Sequence, residues 1–425
     1  MVVGVMVGSG IFLLPGYAAA SVSSGWVLLF AWFLGGVMAL LGALSTAELA
    51  TRYPHSGGDF IYLLRVFGRL PAFLYGWMCL TVTGGGSVAI LALFSAKYSV
   101  HFLPYFQQNS RAEVFIAIII VILLTSLHCL RVTVGARFQS VLSVVKVGGI
   151  IVFAGYLIGS DTPAELATVP FSGESWKGFS KALIPIYFAY SGWNSAGYLA
   201  GEVAKPGKTL PMAFIAGTSV TIALYMLLNS GFLHVLGLQS MQGDALVPVT
   251  VLEMLGNSKA IILVNFLILV SVLSSLSIVI QTSARILQSM GENGVFFRKL
   301  GEVHPFSRTP VIALVLQGVL SIVLMFLLDI EKLVDSTTVV MVLFSALVIS
   351  ALLKVRRYSY NSGKEYTFLT PLYPFVPLAY IGSALFITVG VVQYYVELGS
   401  VLPLWGLGIL VTGLPVYFLW HRTVT

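Results

Sequence analysis

The chain has 425 residues, of which 58% are hydrophobic and only 9% charged, against roughly 25% charged in an ordinary soluble domain. Water is therefore not its main solvent, and no polar stretch is long enough to fold separately, so residues 1–425 read as a single membrane domain. Its two cysteines, Cys79 and Cys129, lie in or beside apolar runs, which excludes a disulfide framework and a cysteine metal cluster. The net charge of +7 is not gathered on one soluble face, as nucleic-acid binding requires.

Apolar segments of about 17 to 25 residues, the length that carries a helix across a bilayer, occur twelve times in the chain. Their cores are residues 1–20, 26–49, 72–94, 113–130, 139–159, 179–201, 210–236, 259–282, 310–328, 333–354, 373–395 and 401–420. The runs are continuous rather than alternating, so they predict helices and not barrel strands. The expected fold is thus an all-α integral membrane protein with twelve transmembrane helices.

Cytoplasmic loops are enriched in Lys and Arg. With the loops after even-numbered spans on one side, that side carries 16 of the 23 basic residues. This predicts a multi-pass protein of the cell membrane with both termini cytoplasmic. The run ending at Ala18-Ala19-Ala20 has a rival reading as a signal peptide, but the positively charged region that precedes such a segment is absent.

Span one contains Gly8-Ser9-Gly10-Ile11-Phe12 followed by Pro15, which puts flexible residues and a helix breaker at mid-membrane. Span six contains Pro185 and then Phe188-Ala189-Tyr190-Ser191-Gly192-Trp193-Asn194. Five spans separate the two. Interruptions at matching places of two halves mark the binding site of inverted-repeat carriers, so residues 1–159 and 176–354 are expected to be the repeats, with residues 373–420 as two additional spans.

An unwound turn in lipid bares amide N–H groups at the start of one half-helix and carbonyls at the end of the other, each reinforced by the helix dipole. A zwitterion satisfies both. Its carboxylate fits the amides around Ser9 and Gly10, and its ammonium fits carbonyls such as those of Met6, Phe188, Ala189 and Ser191. Gly4 and Gly8 also have the small-x-x-x-small spacing of a packing helix, and Trp193 suits a packing role as well as a lining one.

Lys146 lies within span five, flanked by Val144, Val145, Val147 and Gly148, where an uncompensated ammonium costs several kcal/mol by order of magnitude. One reading is snorkelling to the interface. The sharper one is that its ammonium replaces a bound sodium ion, bridging carbonyls of span one and a hydroxyl of span eight, which supplies Ser271, Ser274, Ser275 and Ser277. A fixed cation there leaves exchange or proton coupling. Glu48, Glu202 and Arg285 sit near span ends and are expected to be interfacial and solvated, while the six histidines are scattered and predict no metal site.

The motifs together resemble the amino acid–polyamine–organocation superfamily, and most closely its L-type amino acid transporter branch. They are Val3 to Phe12, Ala47-Glu48-Leu49 with Tyr53-Pro54-His55-Ser56-Gly57-Gly58, Phe73 to Trp77, and Phe188 to Asn194 followed by Gly201 to Pro206. The resemblance implies a LeuT-type core of ten helices in a 5+5 inverted repeat plus two C-terminal helices. It also implies alternating access and sodium-independent handling of amino acids. It implies a substrate-binding set of Met6, Gly8, Ser9, Gly10, Ile11, Phe188, Ala189, Ser191 and Asn194, with Phe188 as gate and Lys146 with Ser275 at the former sodium site. Asn194 and Gly84 to Ser87 would shape the side-chain pocket. The animal L-type transporters carry a cysteine between spans three and four that links a glycoprotein heavy chain, and residues 97–111 contain none, so no disulfide-linked heavy chain is expected.

The expected activity is secondary transport of mostly neutral amino acids, with no metal or organic cofactor, protons as a candidate coupling ion, and the lipid bilayer as surroundings. A cationic amino acid or polyamine carrier of the same fold is the alternative, but it calls for an acidic residue at the pocket, and none is evident at mid-membrane. A channel would need a continuous polar lining. An intramembrane enzyme would need a catalytic constellation, and the spans offer neither.

Overall fold

The computed structural model describes residues 2–100, 110–130, 132–161, 175–244, 246–327, 330–359, 367–397, 399 and 404–424. Helices account for all the regular structure, with no strand among the described residues. Residues 101–109, most of the loop in which a heavy-chain cysteine is absent, lie outside them.

The first apolar run forms two helices, α1 (Val2–Met6) and α2 (Gly10–Ala19). After them come α3 (Gly25–Arg52), a short α4 (Asp59–Phe67), α5 (Arg69–Met78), a π-helical turn at Cys79–Thr83, and α6 (Gly84–Val100). Next are α7 (Ser110–Cys129), α8 (Val132–Ile158), α9 (Ser175–Ala189) and the single turn α10 (Ser195–Tyr198), with a 3₁₀ turn at Ala200–Glu202. Then follow α11 (Pro206–Met241), α12 (Val247–Met254), α13 (Ser258–Glu292), α14 (Val311–Leu327), α15 (Ile330–Ser359), α16 (Phe375–Glu397) and α17 (Leu404–Val424).

Among the described residues, eight helical stretches are long and apolar enough to cross a membrane, and three shorter apolar helices accompany them: Gly10–Ala19, Val311–Phe326 and Gly406–Trp420. Phe115, Leu123, Val144, Val152, Leu263 and Phe326 are exposed on the outside of the bundle. In water such a surface would be a liability; in lipid it is the solvated face.

Local chemistry explains where the elements begin and end. The Ser24 hydroxyl accepts the amide of Trp26 at 3.3 Å, and Asn257 Oδ1 accepts that of Ala260 at 3.1 Å, each filling a vacant position at a helix start. Pro206 opens α11, where its missing N–H costs nothing. Gly237, with φ of 67°, kinks the same helix near its far end. Span three, expected as one helix, is divided into α5, a π turn and α6, and the short helices α4 and α12 lie outside the expected spans.

The helices α2, α3, α9 and α11 pack against one another around the two interruptions, and α1 lies against α8, α11 and α13. Polar ties cross the core at a few points. Tyr187 on α9 and Tyr380 on α16 share a hydrogen bond of 2.9 Å, and Trp77 Nε1 donates to the carbonyl of Ile409 on α17 at 3.2 Å.

Candidate functional site

The first interruption covers Val7, Gly8 and Ser9 between α1 and α2. The second covers residues 190–194, between α9 and α10, so Phe188 and Ala189 belong to the last turn of α9 rather than to the gap. Gly192 adopts a φ of 95°, a conformation that glycine alone takes without strain.

The two gaps adjoin. A Cβ on Gly10 would lie 2.7 Å from Ala189 Cα, and one on Gly192 would lie 2.4 Å from Val5 Cγ1. Only glycine lets these backbones approach so closely. Tyr225, on α11, completes the junction: its hydroxyl lies within hydrogen-bond reach of the carbonyls of Met6 and Ala189, the second at 3.0 Å. Its ring packs tilted against Tyr190 at 4.8 Å and edge-on to Trp32 at 5.6 Å, centroid to centroid.

The backbone accounting separates donors from acceptors. Ser9 has no side-chain capping bond, and the first amides of α2 have no intrahelical carbonyl to bond. Among the described residues, the amides of Ser9, Gly10 and Ile11 have no acceptor. The carbonyls expected to be free are mostly engaged. Met6 O accepts Gly8 N at 2.9 Å as well as Tyr225, Phe188 O accepts Ser191 N at 3.0 Å, and Ala189 O accepts Tyr225. Ser191 O has no such partner among the described residues.

Lys146 is fully buried on α8, which removes the snorkelling reading. Its Nζ donates to Gly4 O at 2.6 Å and Val7 O at 2.7 Å, and lies 3.4 Å from Ser275 Oγ on α13. The Ser275 hydroxyl in turn reaches Gly4 O at 3.1 Å and Val7 O at 3.2 Å, and a Cβ on Gly8 would meet it at 3.0 Å. Two side chains from distant spans therefore hold the frayed end of α1. An ammonium with three hydrogens can satisfy several carbonyls at once, which makes its burial tolerable.

Two expectations are corrected. Glu48 is not solvated but fully buried. Arg356 Nη2 contacts its Oε2 at 2.6 Å, Arg52 Nη2 its Oε1 at 2.6 Å, and the Thr370 amide donates to Oε2 at 2.7 Å. Arg285 is likewise buried, pairing with the half-exposed Glu202 at 2.7 Å. Asn194 Nδ2 donates to Asp59 Oδ2 at 2.6 Å and to Tyr198 Oη at 2.7 Å.

Asp59 is thus an acidic residue one contact away from the candidate pocket, which the sequence did not reveal because it lies outside the apolar spans, at the start of α4. Its Oδ2 is also approached by the hydroxyls of Tyr75 and Tyr198, each at 3.2 Å. Tyr225 was equally invisible, since a tyrosine in an apolar span has no spacing relative to residues 219 positions away. Gly84 packs toward Ser283 of α13, to which a Cβ would come within 2.8 Å. Among the described residues no group of three or more His, Cys, Asp or Glu is arranged to hold a metal.

A profile of the amino acid permease family matches residues 1–418. The chain belongs to this family. The permease is similar to the serine/threonine exchanger SteT of Bacillus subtilis (strain 168), at 30% identity over 98% of this chain and 94% of that protein. It is also similar to the b(0,+)-type amino acid transporter 1 of Mus musculus, at 28% identity over 91% of this chain and 80% of that one. The human cystine/glutamate transporter is 27% identical over 99% of this chain and 83% of its own length. These are L-type relatives within the amino acid–polyamine–organocation superfamily, and they are transporters, not enzymes.

Proposed function

We propose that this permease is a secondary active transporter of neutral amino acids, working by alternating access without sodium, through exchange or proton-coupled symport. The observation that carries the reading is the meeting of the two helix interruptions at Gly10 and Ala189, with the amides of Ser9, Gly10 and Ile11 left without acceptors. Amides at a helix start attract an anion, and the carboxylate shared by all amino acids is the anion we assign to them. The ammonium would go to Ser191 O and to whichever carbonyl Tyr225 releases, with Met6 and Gly8 beneath it. Phe188, at the end of α9, is the aromatic gate in this scheme.

Lys146 with Ser275 would stand where sodium binds in sodium-coupled carriers, which supports coupling by exchange or protons. The neutral preference is supported by the uncharged residues of the two interruptions, 7–9 and 190–194. The same scheme reads the helices as twelve spans in a 5+5 inverted repeat plus two. It sets both termini in the cytoplasm of a cell-membrane protein and requires no covalent heavy chain.

Uptake of radiolabelled amino acids into proteoliposomes tests the reading, with internal substrate, a pH gradient or sodium supplied in turn. Saturable uptake stimulated by internal neutral amino acid or by a proton gradient, and indifferent to sodium, is expected. Sodium-driven uptake, or uptake restricted to cationic substrates, would sink it.

A further inference from the structure

The segment between α3 and α5 forms a cap over the inner half of span six. Gly57 N donates to Tyr198 O at 3.1 Å. Gly57 and Gly58 have φ of 112° and 48°, and a side chain on Gly58 would strike the Tyr198 ring at 2.6 Å. A Cβ on Gly201 would meet Ser56 Oγ at 2.8 Å, and one on Gly57 would meet Ser289 Oγ of α13 at 2.6 Å. The cap is therefore seated closely on residues 197–201 and on α13, and whatever loosens it frees the half-helix that follows the second interruption.

At the centre of this contact is Asp59, in the first turn of α4 and 98% removed from solvent, since its relative exposure is 2%. Its Oδ2 receives Asn194, Tyr75 and Tyr198, and the two tyrosine hydroxyls are 2.8 Å apart. Its Oδ1 is buried with no hydrogen-bond partner. Among the described residues no Lys, Arg or His forms an ion pair with it. The basic groups on the surrounding helices are committed elsewhere: Arg356 and Arg52 to Glu48, Arg285 to Glu202 and Gln288, and Lys354 over the ring of Phe67. The other titratable groups facing it are Tyr62, Tyr75, Cys79, Tyr187, Tyr198 and Tyr380, and Glu292 of α13 is bonded to Gln288.

We propose that the Asp59 carboxyl is a proton-binding site that latches this cap onto residues 194–201, closing the inner face when protonated and releasing it when ionised. A buried carboxylate with no counter-ion opposes burial, whereas a neutral carboxyl does not. The network can hold the extra proton, because a protonated Oδ2 donates to one tyrosine oxygen while the hydroxyls turn to donate to each other or back to Oδ2. Burial pushes the carboxyl up to about 6 from an ordinary 3.8, against the pull of its three donors. An opened cap hydrates the group and returns it to the ordinary value. The closed arrangement therefore binds the proton more tightly. Closure strengthens as pH falls through about 6 toward 4 and weakens above.

The proposal rests on the transporter reading for its purpose, but its test does not need transport. Ser289 is buried under Gly57, so Ser289→Cys reports on the cap. It is placed in a Cys129→Ser, His55→Gln background, which removes the half-buried thiol and the imidazole of the same loop. Labelling of the full chain by a membrane-impermeant maleimide is normalised to an exposed Phe306→Cys control. The normalised rate is expected to rise about tenfold from pH 5 to pH 8, from the linkage relation, and Asp59→Asn should abolish that slope. A flat profile with Asp59 intact, or the same slope in Asp59→Asn, overturns the latch. If the slope appears but no amino acid is taken up, the transporter reading fails and the proton site stands.

Discussion

The hydroxyl of Tyr225 donates to the carbonyl of Ala189 at 3.0 Å while also lying within bonding distance of Met6 O. One phenol from α11 thus joins the end of α9 to the end of α1. A hydroxyl has a single proton, so it satisfies one carbonyl at a time and leaves the other's lone pairs to a guest.

Tyr225→Phe removes that tie without removing the ring packed on Trp32 and Tyr190. Loss of one such bond is worth about 0.5–1.5 kcal/mol net, or roughly a two- to tenfold change in an equilibrium. The apparent affinity for substrate should weaken by about that factor with the folded fraction preserved. Direct binding measurements check this, and unchanged affinity would remove Tyr225 from the site.

Gly10→Ala tests the meeting of the gaps. The added methyl would lie 2.7 Å from Ala189 Cα and 2.9 Å from its Cβ, where backbone rather than a flexible side chain must yield. Overpacking of this sort costs about 1–3 kcal/mol, and here it separates the half-helices proposed to hold the two ends of the zwitterion. Proteoliposome uptake should fall about tenfold or more, and full uptake would mean that the contact is not part of the site.

Lys146→Ala and Ser275→Ala should differ in size. Removing the lysine leaves Gly4 O and Val7 O without their shortest donor, while removing the serine leaves Lys146 in place. Unsatisfied buried groups cost about 1–3 kcal/mol each. Lys146→Ala should lower the melting temperature clearly and abolish most uptake, with Ser275→Ala intermediate on both readouts. A serine variant more damaged than the lysine variant contradicts the arrangement.

Glu48→Ala leaves Arg52 and Arg356 facing each other around an empty buried site, a loss expected to destabilise by about 3–5 kcal/mol. Arg356 also lies over the ring of Tyr373, at 4.1 Å from its centroid, so this cluster fastens α3, α15 and the approach to α16. Adding Arg356→Met should restore part of the melting temperature. If the double variant is no better than the single one, the ion pair is not what holds these elements.

Some of this was legible in the residues themselves. Composition named the solvent, because nothing but lipid suits so apolar a chain. Gly8, Ser9, Gly10 and Gly192 marked where helices come apart, because backbone freedom is a property of the residue and its immediate neighbours. Lys146 declared itself by its surroundings, since an ammonium among valines and glycines must find oxygen.

What the tertiary structure alone decided is which groups meet. The destination of Lys146, the burial of Glu48 between two arginines, the turn of Asn194 toward Asp59 and the bridge at Tyr225 each join residues separated by more than a hundred positions, with Arg52 beside Glu48 and Ala189 beside Tyr225 the nearer partners. A sequence encodes the propensity of each segment locally, but a hydrogen bond or ion pair across the bundle depends on the relative depth and rotation of two packed helices. Those are set by close packing of all the helices together, and no single segment carries them.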